Sequence, residues 1–210
     1  QKFRNIADIE LVMPNGGAWK WAEAICGLVG TLTEELVDAD AMAKDSKTEI
    51  RVLSAILKQY QQLLTDENLI DFAKIQTECY RLLKENPAIL SDLQEKIHYL
   101  MIDEYQDTNY IQEQIIFMLG EKHGNICVVG DDDQGLYRFR GATIRNILEF
   151  PHKFKDGACK IIPLTVNYRS NSDIVDFYNE WISTTDGAKF KFEWKNFRYP
   201  KHIVPFKHTD

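Results

Sequence analysis

Two acidic clusters in the sequence each follow a short apolar run. Asp103 and Glu104 come after residues 99–102, and the aspartates at 131–133 come after residues 126–129 and one glycine. Carboxylate oxygens can hold a hydrated magnesium ion, and a neighbouring carboxylate can polarise an attacking water molecule. Nucleotide hydrolysis requires both tasks of a protein. The acidic clusters therefore predict a magnesium-dependent site for nucleotide hydrolysis.

The elements that precede the acids place them at one edge of a sheet. Residues 99–102 and 126–129 are apolar runs that are too short for helices, and the second is rich in β-branched side chains, so each run predicts a buried strand. Between them, residues 110–122 carry apolar side chains at helical spacing, and Gly124 can end that helix. A strand, helix, strand unit implies a parallel sheet, in which ligands bind beyond the carboxyl ends of the strands. We expect both acidic clusters at that edge.

Helix capping is a simpler explanation for part of the first acidic segment. Asp107, Thr108 or Asn109 can cap the helix that follows, while the other acids are solvated. Capping explains these positions, but it does not explain why two acids, Asp103 and Glu104, directly follow the predicted strand.

Three strings in this part of the chain resemble helicase motifs. They are IDEYQDTN at 102–109, VGDDDQGLYRFRGA at 129–142 and NYRS at 167–170. Their order and spacing are similar to motifs II, III and IV of the UvrD/Rep family in helicase superfamily 1. The resemblance covers residues 69–182. It implies an ATP-dependent DNA helicase that uses ATP and Mg²⁺ and acts on single-stranded and duplex DNA.

The resemblance also implies roles for individual residues. Asp103 is expected to hold magnesium, and Glu104 to act as the general base toward the attacking water. Gln134 is expected to orient water or sense the terminal phosphate, with a loop hydrogen bond as the simpler alternative. Arg169 is expected to stabilise transition-state charge near that phosphate, and Tyr168 to stack on adenine. A surface ion pair or a core aromatic is the alternative for these last two residues.

An aromatic and basic segment follows the second acidic cluster. Tyr137 and Phe139 flank Arg138, and aromatic rings interleaved with cations suit single-stranded nucleic acid because every base offers a face for stacking. Members of the resembled family usually carry Trp at the position of Phe139 and Ser at that of Gly135. We therefore expect weaker stacking and a looser loop here. Packing in the core is the alternative for both aromatic residues.

A phosphate-binding loop of the form GxxxxGK followed by Ser or Thr does not occur in the sequence. In the resembled family this loop precedes a helical inserted subdomain. We therefore expect the chain to be an internal fragment of a helicase that is catalytically inactive on its own. Two alternatives stay open. One is a degenerate RecA-like module that binds DNA or a protein partner without hydrolysis, and the other is part of a nuclease-helicase fusion.

Composition sets broad limits on these expectations. The chain of 210 residues has a net charge of −7, which disfavours nucleic acid as a partner, but lysines and arginines concentrate after the second acidic cluster and near the C-terminus. The 4 cysteines lack paired spacing, which predicts reduced thiols in a cytoplasmic protein rather than zinc binding. No apolar stretch reaches membrane-spanning length, so we expect no membrane partner.

The hydrophobic periodicity changes along the chain. Residues 1–15 predict a short strand or loop, helical spacing then dominates up to about residue 97, and strands alternate with helices afterwards. We therefore predict an α/β fold with a partial RecA-like parallel sheet and a helical inserted subdomain. The predicted divisions are 1–66 for the helical insert, 67–184 for the latter part of the first motor domain, and 185–210 for a basic tail.

The predicted sheet has one open position. In RecA-like sheets of the resembled family, the strand bearing the phosphate loop lies between the strands that we predict at 126–129 and 160–164. Without that neighbour, both strands would expose unpaired backbone groups. We predict that the two strands pair directly, that segment 3–12 inserts between them, or that a second copy supplies a strand in a homodimer or strand swap.

Overall fold

A computed structural model describes residues 2–135, 144–155, 157–185 and 202–207. The chain divides into two compact units, Gln1–Asn146 and Ile147–Asp210. The first unit contains the N-terminal helices and both acidic clusters, whereas NYRS belongs to the second.

The N-terminal part is helical, as the periodicity predicts. Its helices are α1 (Ala18–Glu34), α2 (Ala39–Met42), α3 (Thr48–Asp66), α4 (Phe72–Glu85) and α5 (Pro87–Lys96). Apolar residues of α1, α3 and the N-terminal segment form one buried cluster: Ile9, Met13, Ile25, Val29, Val52, Ile56 and Leu57. Burial of these side chains is the main attraction that holds α1 against α3. Among the helices in the described part, none is long and apolar enough to cross a membrane.

The N-terminal segment differs from the predicted strand or loop. Lys2–Asn5 and Ile9–Leu11 are 3-10 turns. Ile9 and Met13 lie four positions apart and are both buried in the α1 and α3 cluster, which suits helical rather than extended backbone. The predicted insertion of segment 3–12 into a sheet is therefore wrong.

The apolar spacing of residues 19–43 is helical throughout, but the structure divides this segment between α1 and α2. The break follows α1 at Leu36, whose φ is 52°. Gly27 and Gly30 lie within α1 and do not end it. Asp38 then begins α2, because its side chain accepts hydrogen bonds from the first backbone amides of that helix.

Side-chain hydrogen bonds mark both ends of α4. Asp71 accepts a hydrogen bond from the backbone amide of Lys74 at 2.7 Å, so α4 begins after Asp71. At the other end, Asn86 donates its side-chain amide to the carbonyl of Leu82 at 2.9 Å. It therefore closes α4, and α5 begins without a side-chain cap.

The predicted strand, helix, strand unit is confirmed, but its strands are not fully buried, because Met101 and Cys127 at their centres are exposed. Its elements are β1 (Leu100–Ile102), α6 (Tyr110–Gly120) and β2 (Ile126–Val128). The two strands are parallel, and their register runs from Leu100 opposite Ile126 to Ile102 opposite Val128. Both strands therefore end at the same edge, where the acidic clusters begin.

Two glycines shape the connection between α6 and β2. A Cβ atom at Gly120 would lie 2.5 Å from Cδ1 of Ile126, so a larger residue would force that side chain to move. Gly124 has a φ of 65°, a left-handed conformation that glycine adopts without steric cost. The close approach at Gly120 and the turn at Gly124 bring the chain from α6 directly into β2.

A separate parallel pair of strands lies in the second unit. α7 (Ile144–Glu149) leads into this unit, whose further elements are the 3-10 turn Phe150–Lys153, β3 (Val166–Asn171), α8 (Ser172–Thr185) and β4 (Val204–Lys207). β3 pairs with β4 in parallel. The string NYRS therefore lies within β3, whereas the sequence predicts it just beyond a strand.

The strand predicted at 160–164 is wrong. These residues have no regular secondary structure, and Ile161, Ile162 and Leu164 are exposed. Pro163 has no backbone N–H and cannot donate to a sheet ladder, which explains why pairing begins only later in the chain. Phe190, Phe192 and Trp194 alternate along the tail, which predicts one further strand, but these residues lie outside the described ones.

The sheets are smaller than the predicted fold requires. β1 pairs with β2 and β3 with β4, as two sheets of two strands each. Direct pairing of 126–129 with 160–164 does not occur, because the second segment is not a strand. The fold of the described residues is mixed α/β with small parallel sheets, and a full RecA-like sheet is not shown. The domain boundaries at 66 and 184 and a strand from a second copy stay predictions.

Candidate active site at the ends of the parallel strands

Backbone pairing continues beyond the ends of β1 and β2. The amide of Val129 donates to the carbonyl of Ile102 at 2.8 Å, and the amide of Tyr105 donates to the carbonyl of Val129 at 2.9 Å. Asp103 and Glu104 lie between these two anchors and form a two-residue loop with exposed side chains. The sheet itself therefore presents the two acids that the sequence singled out.

The backbone of this loop is strained at the second acid. Glu104 has a φ of 51° and a ψ of 42°, a left-handed conformation that costs a residue with a side chain about 1 to 2 kcal/mol. The carboxylate of Asp103 accepts a hydrogen bond from the amide of Glu104 at 2.9 Å, which helps to hold this turn. Strain that the surroundings maintain is common at functional sites.

A buried pair of side chains connects the loop of Asp103 and Glu104 to α6. The hydroxyl of Tyr105 donates to Oε1 of Glu113 on α6 at 3.0 Å, and Tyr105 is 0% and Glu113 1% exposed. Burial, followed by the charge of Glu113 and this hydrogen bond, raises the pKa of Tyr105 far above its usual range. Tyr105 therefore stays a protonated donor and ties the loop to α6.

Capping of α6 is confirmed, and Asn109 is the residue responsible. Its Oδ1 accepts from the backbone amide of Gln112 at 2.9 Å, and Oε1 of Gln112 accepts from the amide of Asn109 at 3.1 Å. Asp107 does not cap the helix, and its Oδ1 is buried without a hydrogen-bond partner in the described part of the chain. The cap uses neither Asp103 nor Glu104, so both carboxylates stay available for chemistry.

The second acidic cluster forms a compact turn after β2. Asp131 precedes the 3-10 turn Asp132–Gln134, and its Oδ1 accepts from the amide of Asp133 at 3.1 Å. Its Oδ2 accepts from Nε2 of Gln134 at 2.7 Å. The loop hydrogen bond considered as the alternative for Gln134 is therefore present. A role of Gln134 toward phosphate stays a prediction.

One residue that the sequence reasoning missed connects the two acidic loops. Gln106 is 1% exposed, and its Nε2 donates to Oε2 of Glu104 at 2.6 Å. Its Oε1 accepts from the backbone amide of Asp131 at 3.1 Å. Glu104 and Gln134 are thus linked through Gln106 and Asp131. The available signal was a glutamine inside IDEYQDTN, two positions after Glu104.

The carboxylates at this edge fit magnesium. Asp131, Asp132 and Asp133 bring one oxygen each to within 4.8 Å of one another, and Asp103 presents an exposed carboxylate at the end of the neighbouring strand. Carboxylate oxygens are the hard ligands that Mg²⁺ prefers. The described acids are thus candidate metal ligands, whereas the sequence lacks the GxxxxGK string that binds phosphates.

The predicted nucleotide residues Tyr168 and Arg169 lie on an irregular part of β3. The ladder to β4 shifts register between Asn167 and Asn171, and such bulges re-aim side chains. Oδ1 of Asn167 accepts from the amides of Arg169 at 2.9 Å and Ser170 at 2.8 Å. These bonds satisfy backbone groups that the bulge removes from the ladder.

Both predicted nucleotide residues point away from the interior of their unit. Tyr168 is 65% exposed, and its ring lies 4.8 Å from that of Phe206 on β4, measured between ring centroids. Arg169 is exposed. A core role for Tyr168 is therefore wrong. The predicted DNA-binding residues Tyr137, Arg138 and Phe139 lie outside the described residues.

A family model and individual relatives both match this chain, and all of them are helicases. The model of the UvrD/REP helicase N-terminal domain matches residues 4–155. ATP-dependent DNA helicase PcrA of Bacillus subtilis (strain 168) is 34% identical over 172 residues, which are 81% of this chain and 23% of that protein. PcrA of Staphylococcus epidermidis (strain RP62A) is 35% identical over 169 residues, 80% of this chain and 23% of that protein.

The chain spans 23% of the length of the curated relatives that it matches. The match with the family model includes both acidic clusters and ends before NYRS. The resemblance inferred from IDEYQDTN and VGDDDQGLYRFRGA is confirmed. The chain belongs to the UvrD/REP helicase family.

Proposed function

We propose that this chain is part of an ATP-dependent DNA helicase and supplies the metal ligand and the general base for ATP hydrolysis. The observation that carries the proposal is the loop of Asp103 and Glu104, which the sheet presents beside the turn of Asp131 and Gln134. The names of the relatives as ATP-dependent DNA helicases support it. Hydrolysis would be coupled to movement on single-stranded DNA and to duplex unwinding.

The roles of the acidic residues follow from their surroundings. Asp103 is exposed beside the strand end and would hold Mg²⁺, which offsets phosphate charge when bound. Glu104 accepts one hydrogen bond at Oε2, so its Oε1 is available to take a proton from water. Gln134 lies in the turn after β2, and it would orient that water or contact the terminal phosphate.

We also assign nucleotide contacts to two residues of the second unit, on the resemblance of their string to a helicase motif. Arg169 is exposed on the β3 bulge and offers a planar guanidinium for the charge that develops on the terminal phosphate. Tyr168 offers an exposed ring for stacking on adenine. Their participation rests on the resemblance of NYRS to motif IV.

The organisation of the parent protein is also a proposal. We assign residues 1–66 to a helical insert, 67–184 to the latter part of the first motor domain and 185–210 to a basic tail, in a cytoplasmic protein. The predicted homodimer or strand swap has no support from the relatives and stays an untested prediction. A fused nuclease domain would lie outside this chain.

We expect no ATP turnover by the chain of 210 residues alone, because it lacks the GxxxxGK string. Steady-state phosphate release, with and without single-stranded DNA, measures this. DNA-stimulated turnover at ordinary enzyme rates, of order 1 to 100 per second, would contradict the proposal that hydrolysis needs a phosphate-binding loop that this chain lacks. A degenerate module without hydrolysis predicts that the full-length protein is inactive as well, so the same assay on that protein separates the two proposals.

We expect Phe139→Ala to weaken binding of single-stranded DNA to the full-length protein. Loss of one base-stacking ring typically costs about 1 to 3 kcal/mol, which corresponds to a weakening of about fivefold to 150-fold. Fluorescence anisotropy with a labelled oligonucleotide measures the affinity, and a thermal melt of the same sample tests the alternative of core packing. Unchanged DNA affinity together with a large fall in melting temperature would assign Phe139 to the core.

A further inference from the structure

Gln106 links the two acidic loops, and this link has a consequence for catalysis. We propose that Gln106 is a positioning residue that holds the Glu104 carboxylate and the turn at Asp131 in a fixed relation. The inference rests on the proposed role of Glu104 as general base. Gln106 would act through Glu104, without contact to the nucleotide.

The Glu104 side chain depends on Gln106 for its orientation. Within the described part of the chain, the Glu104 carboxylate accepts one side-chain hydrogen bond, from Nε2 of Gln106 at 2.6 Å, and the side chain is otherwise exposed. An exposed glutamate samples several rotamers, and fixing one of them costs conformational entropy. A single bond at Oε2 selects one rotamer while Oε1 stays free to receive a proton.

The second half of the Gln106 amide fixes the neighbouring loop. Its Oε1 accepts from the backbone amide of Asp131 at 3.1 Å, and Oδ2 of Asp131 accepts from Nε2 of Gln134 at 2.7 Å. A continuous hydrogen-bonded path therefore runs from Glu104 to Gln134. Displacement of the Asp131 turn would move Gln106 and with it the carboxylate of Glu104.

Glutamine is the side chain that this position requires. One end must donate to a carboxylate and the other must accept from a backbone amide, and an amide group does both. The reversed amide would set its oxygen against the Glu104 carboxylate and its NH₂ against the Asp131 amide, so only one orientation is stable. Burial strengthens this preference, because an unsatisfied amide inside the protein is costly.

A double-mutant cycle in the full-length protein tests the proposal. Gln106→Met keeps the size of the side chain and removes both hydrogen bonds. We expect its kcat for DNA-stimulated ATP hydrolysis to fall about tenfold to a hundredfold, as when an orienting partner is lost, with little change in KM for ATP. In the Glu104→Gln background, the same substitution should change single-turnover hydrolysis less than about twofold, because the general base that Gln106 would position is already absent.

Two further variants make the test decisive. Gln106→Glu keeps an acceptor for the Asp131 amide but sets a carboxylate against Glu104, so its kcat should fall at least as far as that of Gln106→Met. Gln94→Met is the matched control, because Gln94 also forms a side-chain hydrogen bond, to the carbonyl of Met118 at 2.7 Å, between α5 and α6. Its kcat should stay within about twofold of the unaltered protein.

The outcomes separate this inference from the proposed function. An equal loss of kcat in both backgrounds, or an unchanged kcat in Gln106→Met, would overturn the positioning role of Gln106. If Gln106→Met does not fold, a normal kcat in Gln106→Glu would overturn it instead. Full activity of Glu104→Gln itself would reject Glu104 as the base, which is a failure of the proposed function.

Discussion

Glu104→Gln in the full-length helicase is expected to lower DNA-stimulated ATP hydrolysis by about a hundredfold to ten-thousandfold, the usual loss when a positioned base is removed. The amide keeps the size of the side chain but cannot take a proton from water. Asp103 keeps its carboxylate, so nucleotide affinity in the presence of Mg²⁺ should stay unchanged. Phosphate release measures turnover, and a fluorescent nucleotide analogue measures affinity in the same sample.

Glu121→Gln is the matched control for this variant. Glu121 is exposed and directly follows the C-terminal end of α6, whereas Glu104 lies before the N-terminal end of that helix. The same chemical change should there leave turnover within about twofold. Normal turnover of Glu104→Gln would reassign Glu104 to a structural role, and loss of nucleotide binding together with turnover would show that it contributes to the metal site.

The strand, helix, strand unit could be predicted because its signals are local. Each strand is a short apolar run, and Gly124 adopts the positive φ that a tight turn requires. The position of Asp103 and Glu104 at the sheet edge follows directly from this topology. Local pattern was thus enough to place the first acids of the site.

Features that depend on distant contacts could not be predicted. The segment at 160–164 is apolar like a strand, but Pro163 has no backbone N–H to donate to a sheet ladder. The strand β3 begins only after this segment. The N-terminal segment takes helical turns because Ile9 and Met13 pack on α1 and α3. Tertiary packing decides such ambiguous segments, and a sequence window does not contain it.

The link through Gln106 was hidden for a different reason. Its role depends on the amide of Asp131, which lies 25 positions further along the chain. No spacing rule joins a glutamine to a backbone amide at that distance. Only the parallel register of β1 and β2 brings the two loops together, so the connection appears once the sheet is assembled.

Arg169→Ala in the full-length helicase is expected to lower ATP turnover by about a thousandfold to a hundred-thousandfold, the range for arginines that stabilise phosphoryl-transfer transition states. The bulge of β3 determines how Arg169 is presented. Asn167 binds the backbone amide of Arg169 through its side chain, so the backbone is held while the guanidinium is exposed and available to a phosphate.

Nucleotide binding distinguishes a transition-state role of Arg169 from a general loss of the site. Because Arg169 would act on the terminal phosphate, Arg169→Ala should leave ADP affinity unchanged while ATP turnover falls. Arg169→Lys keeps the charge but not the planar fork, so its turnover should stay far below normal. Lys160→Ala, which removes an exposed cation from the irregular segment before β3, should change turnover less than about twofold. Turnover of Arg169→Ala within tenfold of normal would place Arg169 outside the catalytic machinery, since so small a loss is that of a surface charge and not of a transition-state ligand.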